Sequence, residues 1–401
     1  MSARIQDIAI VIYRLSENWL GGVNYYRNLL AVFDDANEAG LRLNVFANDP
    51  GFFADMQLSP RVKVRRVPML EHRTPEWFMR KLIAKATGRD LMLLRLLKRV
   101  GVRAIVFSHV SGAGAAGIRC LPWIPDFQSQ RHPEFFQPEV VAIERQRAAD
   151  WVHGGDGLIV SSLAARDDAV ALFGADPARL HVMRFAPRLD AHALADAGLR
   201  NEVLARYGIT QPYFFLPNQY WQHKNHGVVI AAMQCLRKRG VTLPLVVSTG
   251  KTDDQRKPLY FKDFEAGVRK AGLVYSYRIL GVIERRDMLV LLAHAVAVIN
   301  PSRFEGWSSS VEEAKACGKR LIVSDIPVHR EQVAGRADAE VFRVDDGEAL
   351  ASLLERHAAT SSGMGAVRSY LPQPEPELYR SFQRQYIALL KSFVQPAEAT
   401  A

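Results

Sequence analysis

The stretch from Val296 to Asp325, VAVINPSRFEGWSSSVEEAKACGKRLIVSD, constrains the fold more than any other part of the chain. Two short apolar runs, Val296 to Ile299 and Leu321 to Val323, bracket a segment that is turn-rich at its start and helix-forming at its end. This is the pattern of a parallel strand, loop, helix and strand, because parallel neighbours need a long crossover between them. In an open parallel sheet the loop at a strand's carboxyl end borders the crevice where ligands bind. The helix that follows offers unpaired N–H groups and a partial positive charge to an anion. Gly306 and the hydroxyl run Ser308, Ser309, Ser310 suit such a helix start.

Two carboxylates bracket this start, Glu305 in the loop and Glu313 inside the helix. One reading places them at opposite ends of a ligand held at the helix terminus. The other makes at least one of them a cap, since Ser309 with Glu312 and Ser310 with Glu313 both fit Ser-x-x-Glu. Spacing alone leaves both open.

In order and framing, Pro301, Ser302, Glu305, Gly306, Trp307, Glu313 and Ala314 resemble the signature of the retaining nucleotide-sugar glycosyltransferases of family 4. The resemblance implies an α/β chain of the GT-B class: two Rossmann-like doubly wound domains facing a cleft, with a C-terminal helix crossing back to the first. It implies that Glu305 contacts the donor sugar and Glu313 the nucleotide ribose. Gly306, Trp307 and Ser308 would then form the helix start beneath the diphosphate.

The length of 401 residues accommodates two domains, each with a sizeable core. We expect an acceptor-side domain over 1–205, a nucleotide-sugar-binding domain over 206–375, and a crossing helix and tail over 376–401. No apolar run is long enough to span a bilayer, and Asp7 ahead of the first apolar run marks a strand rather than a leader. Cys120, Cys235 and Cys317 are odd in number and far apart, which reads as three buried thiols in a reducing compartment. The expected location is cytoplasmic.

The net charge of +10 is localised. Between Arg61 and Arg103 there are 13 Lys or Arg against Glu71, Glu76 and Asp90, so this segment carries the whole excess. Within it, Trp77, Phe78, Leu82 and Ile83 interleave with Arg80, Lys81, Lys85 and Arg89. A basic amphipathic segment of this kind is either a solvated helix face or a surface for an anionic membrane. No recognised nucleic-acid motif accompanies it.

Along the first domain, Ile8 to Ile12 reads as a buried strand, followed by a Ser16 to Gly22 loop and a helix from about Val23. The pair Gly21, Gly22 allows close backbone approach to a ligand, and the resemblance places them near the donor phosphates. Gly112, Gly114 and Gly117 imitate a dinucleotide fingerprint, but Pro122 and Pro125 leave no room for the helix it requires. Trp123 to Gln128 reads as extended, ending near Asp126. Members of the family commonly place a His-Asp pair here. In this chain Pro125 takes the place of that histidine and Ser129 is a second departure, so Asp126 is the first choice for this contact, ahead of His132 and His109.

In the second domain, strand Tyr213 to Leu216 leads into PNQYWQHKNHG. A lysine between strand and helix is either a solvated side chain or a point charge for a phosphate, and the resemblance selects the second for Lys224. The family places an Arg or its substitute six residues earlier, where Asn218 stands, so a two-cation clamp is reduced to one. Gly281 and Val282 fall where the resemblance implies backbone pairing with the nucleotide base. No metal-ligand spacing is visible, and no cofactor is expected beyond a nucleotide-diphosphate sugar as substrate. The combined expectation is sugar transfer to an acceptor hydroxyl with retention, in surface polysaccharide or lipopolysaccharide assembly. An epimerase or a non-catalytic sugar-binding protein on the same fold are the other readings.

Overall fold

A computed structural model describes residues 5–13, 20–254, 256–359 and 375–394. The chain divides into unit 1, Met1–Phe127 with Ala142–Arg188 and Arg380–Ala401, and unit 2, Gln128–Val141 with Leu189–Tyr379.

In unit 1, β1 (Gln6–Ile12), β2 (Leu41–Ala47), β3 (Val62–Arg66), β4 (Ala104–Val106) and β5 (Arg119–Leu121) form a parallel sheet in the order β3-β2-β1-β4-β5. After Pro122 the chain continues as β6 (Trp123–Ile124), parallel to β7 (Leu158–Val160) and then β8 (Leu180–Val182). Proline has no N–H for the ladder, yet the Pro122 carbonyl still accepts from Ile159 N at 2.8 Å. Pro122 thus stands between β5, the edge of the five-stranded sheet, and β6, the edge of a separate three-stranded one. The last helix, Pro376–Val394, belongs to unit 1 from Arg380 on: Tyr386 is fully buried against Phe107, and Arg119 donates to Phe393 O.

Unit 2 is a parallel sheet of β9 (Tyr213–Leu216), β10 (Leu245–Ser248), β11 (Tyr277–Ile279), β12 (Val298–Asn300), β13 (Leu321–Ser324) and β14 (Ala339–Phe342), ordered β11-β10-β9-β12-β13-β14. Side chains alternate between two buried faces, as strands covered by helices on both sides must. Phe214, Val246, Ile299 and Ile322 pack in one core, and Tyr213, Phe215, Val247, Val298 and Val323 in the other. Strand order reverses between β9 and β12, the point at which open parallel sheets commonly bind ligands.

Several expectations need correction. Unit 2 begins at Leu189 rather than 206, because Leu194, Leu199 and Val203 pack in the same core as Tyr213 and Leu291. It also takes in Gln128–Val141. The first helix starts at Leu20, so Gly21 and Gly22 lie in its opening turn rather than in a loop, while residues 16–19 fall outside the described residues. A helix's first N–H groups have no partner within the helix, so glycine costs less there than in its middle. Gln128 opens a helical turn, Gln128–Arg131, where extended chain was expected. Cys120 and Cys317 are buried, but Cys235 is only partly so. Gly112 and Gly117 serve left-handed turns, with φ of 85° and 72°, and the next element after Gly117 is β5 rather than the helix that a dinucleotide fingerprint would require.

Candidate functional site

The site is built where the loops after β9 and β12 meet. Lys224 Nζ lies 2.7 and 2.8 Å from the two carboxylate oxygens of Glu305. Three further bonds stitch the same loops together. Asn218 Nδ2 donates to Asn300 Oδ1 at 3.0 Å, Asn225 Nδ2 to Pro301 O at 3.1 Å, and Arg303 N to His223 O at 2.7 Å. Asn225 holds φ of 57°, a left-handed conformation that asparagine tolerates better than most residues. The Lys-Asn dipeptide thus has a mechanical basis: the asparagine turns the chain so that the lysine points at the β12 loop.

Glu305 is buried and yet ionised. Burial pushes its carboxyl pKa up, but the Lys224 ammonium and the Ser302 hydroxyl outweigh that and hold it below the usual value. The Ser302 hydroxyl lies 2.7 Å from both Glu305 Oε1 and Asn300 Oδ1, and Asn300 Nδ2 is 3.3 Å from Glu305 Oε1. Asn300 also donates to Ser308 Oγ at 2.7 Å. One fully buried amide at the end of β12 therefore orients the carboxylate, the cap of the next helix and Asn218. Behind it, His329 Nδ1 lies 2.9 Å from Ser324 O, and burial pushes the imidazole pKa down to about 4.

The helix after the loop runs Ser309–Ala316 and Ser308 is its cap, accepting from Val311 N at 3.4 Å. This corrects the capping-box reading. With Ser308 as cap, the third helical position is Val311, and neither glutamate can reach back to close a box. Glu312 instead takes Lys315 at 2.8 Å and Gln332 at 2.9 Å, and burial raises its pKa. Glu313 takes Arg285 at 2.7 Å. Gly306 and Trp307 are half-buried ahead of the helix, with Lys315 Nζ 5.9 Å from the Trp307 ring centre. The amides of Ser309 and Ser310 open the helix, where the helix itself supplies no acceptor.

The loops after β10 and β11 complete the rim. Gly250 N donates to Gly281 O at 2.8 Å, and a Cβ on Gly250 would stand 2.4 Å from Asn218 O. Gly281 has φ of 68°, and Val282 beside it is exposed. Arg285 starts the next helix and carries the link to Glu313.

Asn218, Lys224, Gly281, Val282, Glu305, Gly306, Trp307, Ser308 and Glu313 are thus gathered at the carboxyl ends of β9, β11 and β12 in unit 2. Asn218 turns its amide inward to Asn300 and Ser310, which makes it a positioning residue. Gly21, Gly22 and Asp126 belong to unit 1. Asp126 is half-buried, just beyond β6. His109, also in unit 1, stacks on Trp151 with ring centres 5.8 Å apart, and burial lowers its pKa. His132 belongs to unit 2, where its ring meets Phe304 at 5.3 Å. Sequence reasoning missed Asn300, Arg285, Gln332 and His329. Asn300 alone gave a sign, as a polar residue closing an apolar run.

Residues 204–359 match the family described as glycosyl transferases group 1. A D-inositol 3-phosphate glycosyltransferase of Xylanimonas cellulosilytica is 26% identical over 180 residues, which are 44% of this chain. The chain spans 42% of the length of that relative. Among solved structures, a glycosyltransferase from Rickettsia africae superposes with a TM-score of 0.70 at 12% identity, covering 98% of this chain and all of the other. HepE of Anabaena, solved with UDP and glucose, gives 0.69 at 14% identity, covering 96% of this chain and 100% of its own. WaaG, a glycosyltransferase involved in lipopolysaccharide biosynthesis, gives 0.59 at 15%, covering 96% and 95%. These likenesses establish the fold.

Proposed function

We infer, from the premise that residues 204–359 are a group 1 glycosyltransferase domain in a chain of the GT-B fold, that this protein moves a sugar from a nucleoside diphosphate to an acceptor hydroxyl. The observation that carries this reading is the Lys224–Glu305 pair at the strand-order reversal, beside the start of the Ser309–Ala316 helix. Breaking the bond between sugar and diphosphate builds negative charge on the leaving phosphate and positive character on the anomeric carbon. Fixed groups aimed at those charges lower the barrier. The Lys224 ammonium and the Ser309 and Ser310 amides serve the phosphate. Glu305, held anionic, accepts from sugar hydroxyls. Glu313 serves the ribose and the Gly281–Val282 backbone the base.

We place the reaction in the retaining class, with the departing phosphate oxygen taking the acceptor's proton. No metal is assigned a role. The acceptor is a lipid-linked or growing glycan in surface polysaccharide or lipopolysaccharide assembly at the inner face of a membrane. The test is turnover of UDP-, GDP- and ADP-sugars, UDP-glucose first, with product configuration read by NMR. Transfer with an α-linked product from an α-linked donor supports the reading. Conversion of the donor sugar without any acceptor would identify an epimerase, and binding without turnover of any donor would identify a sugar-binding protein.

A further inference from the structure

The Pro75–Thr87 helix of unit 1 is turned the opposite way from an ordinary surface helix, which buries its apolar face and exposes its charges. Thr74 caps it, accepting from Trp77 N at 3.2 Å, and Gly88 ends it with φ of 69°. Its inward residue is Arg80, only 4% exposed. The guanidinium donates to Asp90 at 2.8 Å and to Met69 O at 3.2 Å, and lies 5.0 Å from the Tyr13 ring centre. Outward it presents Phe78, Met79 and Leu82, which are 58%, 57% and 70% exposed. Phe78 and Leu82 are four apart and Met79 and Leu82 three apart, so the three form one patch. Lys81 and Lys85 border it, three and seven residues from Phe78.

Two features make this a built surface rather than a loose helix. Rotating the helix to bury the patch would strip Arg80 from Asp90 and leave a buried charge without its partner, which is strongly unfavourable. The surrounding charge is also one-sided. Of the 13 cations between Arg61 and Arg103, Arg80 alone is buried; of the three acids, Glu71 and Asp90 are taken up by Arg66 and Arg80, and Glu76 is exposed in the first turn of this helix. An exposed apolar strip rimmed by lysines in a field of uncompensated cations fits an anionic lipid headgroup layer over an apolar interior. A soluble polyanion would use the cations but leave Phe78, Met79 and Leu82 in water.

We propose that this face docks unit 1 on an anionic phospholipid bilayer, with Phe78, Met79 and Leu82 entering the boundary between headgroups and acyl chains and the flanking lysines and arginines meeting lipid phosphates. The proposal rests on unit 1 alone and is independent of the transfer reaction.

The full chain is floated with vesicles of phosphatidylcholine alone and of phosphatidylcholine with phosphatidylglycerol, at low and high salt. Binding is expected only to the phosphatidylglycerol vesicles, and weaker at high salt. Phe78→Ser with Leu82→Ser is expected to weaken it by about tenfold or more. Lys81→Ala and Lys85→Ala are each expected to weaken it about fivefold. All four positions are exposed, so circular dichroism and thermal midpoint stay at the parent's values and the loss is read as lost docking. Equal binding to both vesicle types overturns the proposal, as does a Phe78→Ser/Leu82→Ser variant that binds like the parent. A concentration-dependent dimer of the parent that this double variant abolishes would assign the patch to a second copy and overturn it too. Heparin binding by the double variant at the parent's strength, alongside lost vesicle binding, supports it, because the cations are then intact and the apolar contact is what is missing.

Discussion

Lys224 and Glu305 meet in a two-oxygen ion pair, 2.7 and 2.8 Å long, that joins the loops on either side of the strand-order reversal in unit 2. The carboxylate is the more deeply buried partner, with 8% of its side chain exposed against 14% for the lysine. Removing the lysine therefore leaves a buried anion, whereas removing the carboxylate leaves a cation nearer to water. We predict that Lys224→Met lowers stability by about 3 kcal/mol or more, and that Glu305→Gln costs clearly less. The double variant should recover part of the Lys224→Met loss. Urea unfolding of the four proteins tests this, and equal losses for the two single variants would contradict it.

Asn300 deserves the same test, because it holds the carboxylate without belonging to any expected signature. Its amide contacts Glu305, Ser308, Ser302 and Asn218. Asn300→Ala should cost roughly 1–3 kcal/mol, the range for leaving buried partners unsatisfied. It should also reduce kcat of the proposed transfer by about tenfold or more, since Glu305 loses its orientation while keeping its charge and Lys224. Asn300→Asp would put a second carboxylate beside Glu305, and should be worse than Asn300→Ala in both respects. An Asn300→Ala variant with the parent's turnover in the proposed transfer would show that Glu305 needs no support from β12.

The sheet of unit 2 was legible because its strands are short apolar runs separated by helical stretches. Tyr213 to Leu216 and Leu245 to Ser248 coincide with the observed strands. Lys224 and Glu305 were singled out by the family resemblance, and the structure brings them together from two loops, one after each strand at the reversal. What pattern could not supply was the direction of side chains. Ser308, Ser309 and Ser310 are equivalent as letters, and only the backbone at Ser308, extended at φ of −80° and ψ of 110°, makes it the cap and removes the glutamates from that task. The domain limit failed for a similar reason. Residues 189–206 look like a linker by composition, but Leu194, Leu199 and Val203 are core residues of unit 2. The strand β5 escaped notice because it is three residues long and begins with an arginine.

Stability should fall on mild acidification, and two buried imidazoles account for the direction. Burial holds His226 at about 3 and His329 at about 4, both below the unfolded value near 6.5. Between those values the unfolded chain binds protons that the folded chain refuses, so stability rises with pH across the window. The contribution is complete above the unfolded pKa and is lost as pH drops toward the folded one, by roughly 3 kcal/mol for His329 alone. Glu305, with its depressed pKa, adds a loss only at lower pH, below the ordinary carboxylate value. Chemical denaturation at a series of pH values from about 7 down to 5 should show the decline. His329→Asn, which can keep a donor toward Ser324 O but does not titrate, should flatten part of it. A parent curve that is flat over this range would contradict this account for both imidazoles.

Glu313 allows the sharpest separation between a ligand contact and a structural partner. Its carboxylate is bound by Arg285, which starts the helix just after the Gly281–Val282 turn, so it already has a role in holding the β11 loop to the helix after β12. If that is its only role, Arg285→Ala and Glu313→Ala disturb the same contact, and each should weaken UDP and its 2′,3′-dideoxy analogue to the same extent. If the carboxylate also accepts from ribose hydroxyls, as proposed, the two variants part company. Glu313→Ala should then weaken UDP by about tenfold or more, the value of a hydrogen bond to a charged group, while barely affecting the dideoxy analogue. Arg285→Ala should weaken both ligands only slightly, because the carboxylate remains. Titration calorimetry with the two nucleotides reads all of these ratios, and a UDP-to-dideoxy ratio unchanged by Glu313→Ala would withdraw the ribose contact without touching the assignments of Lys224 and Glu305.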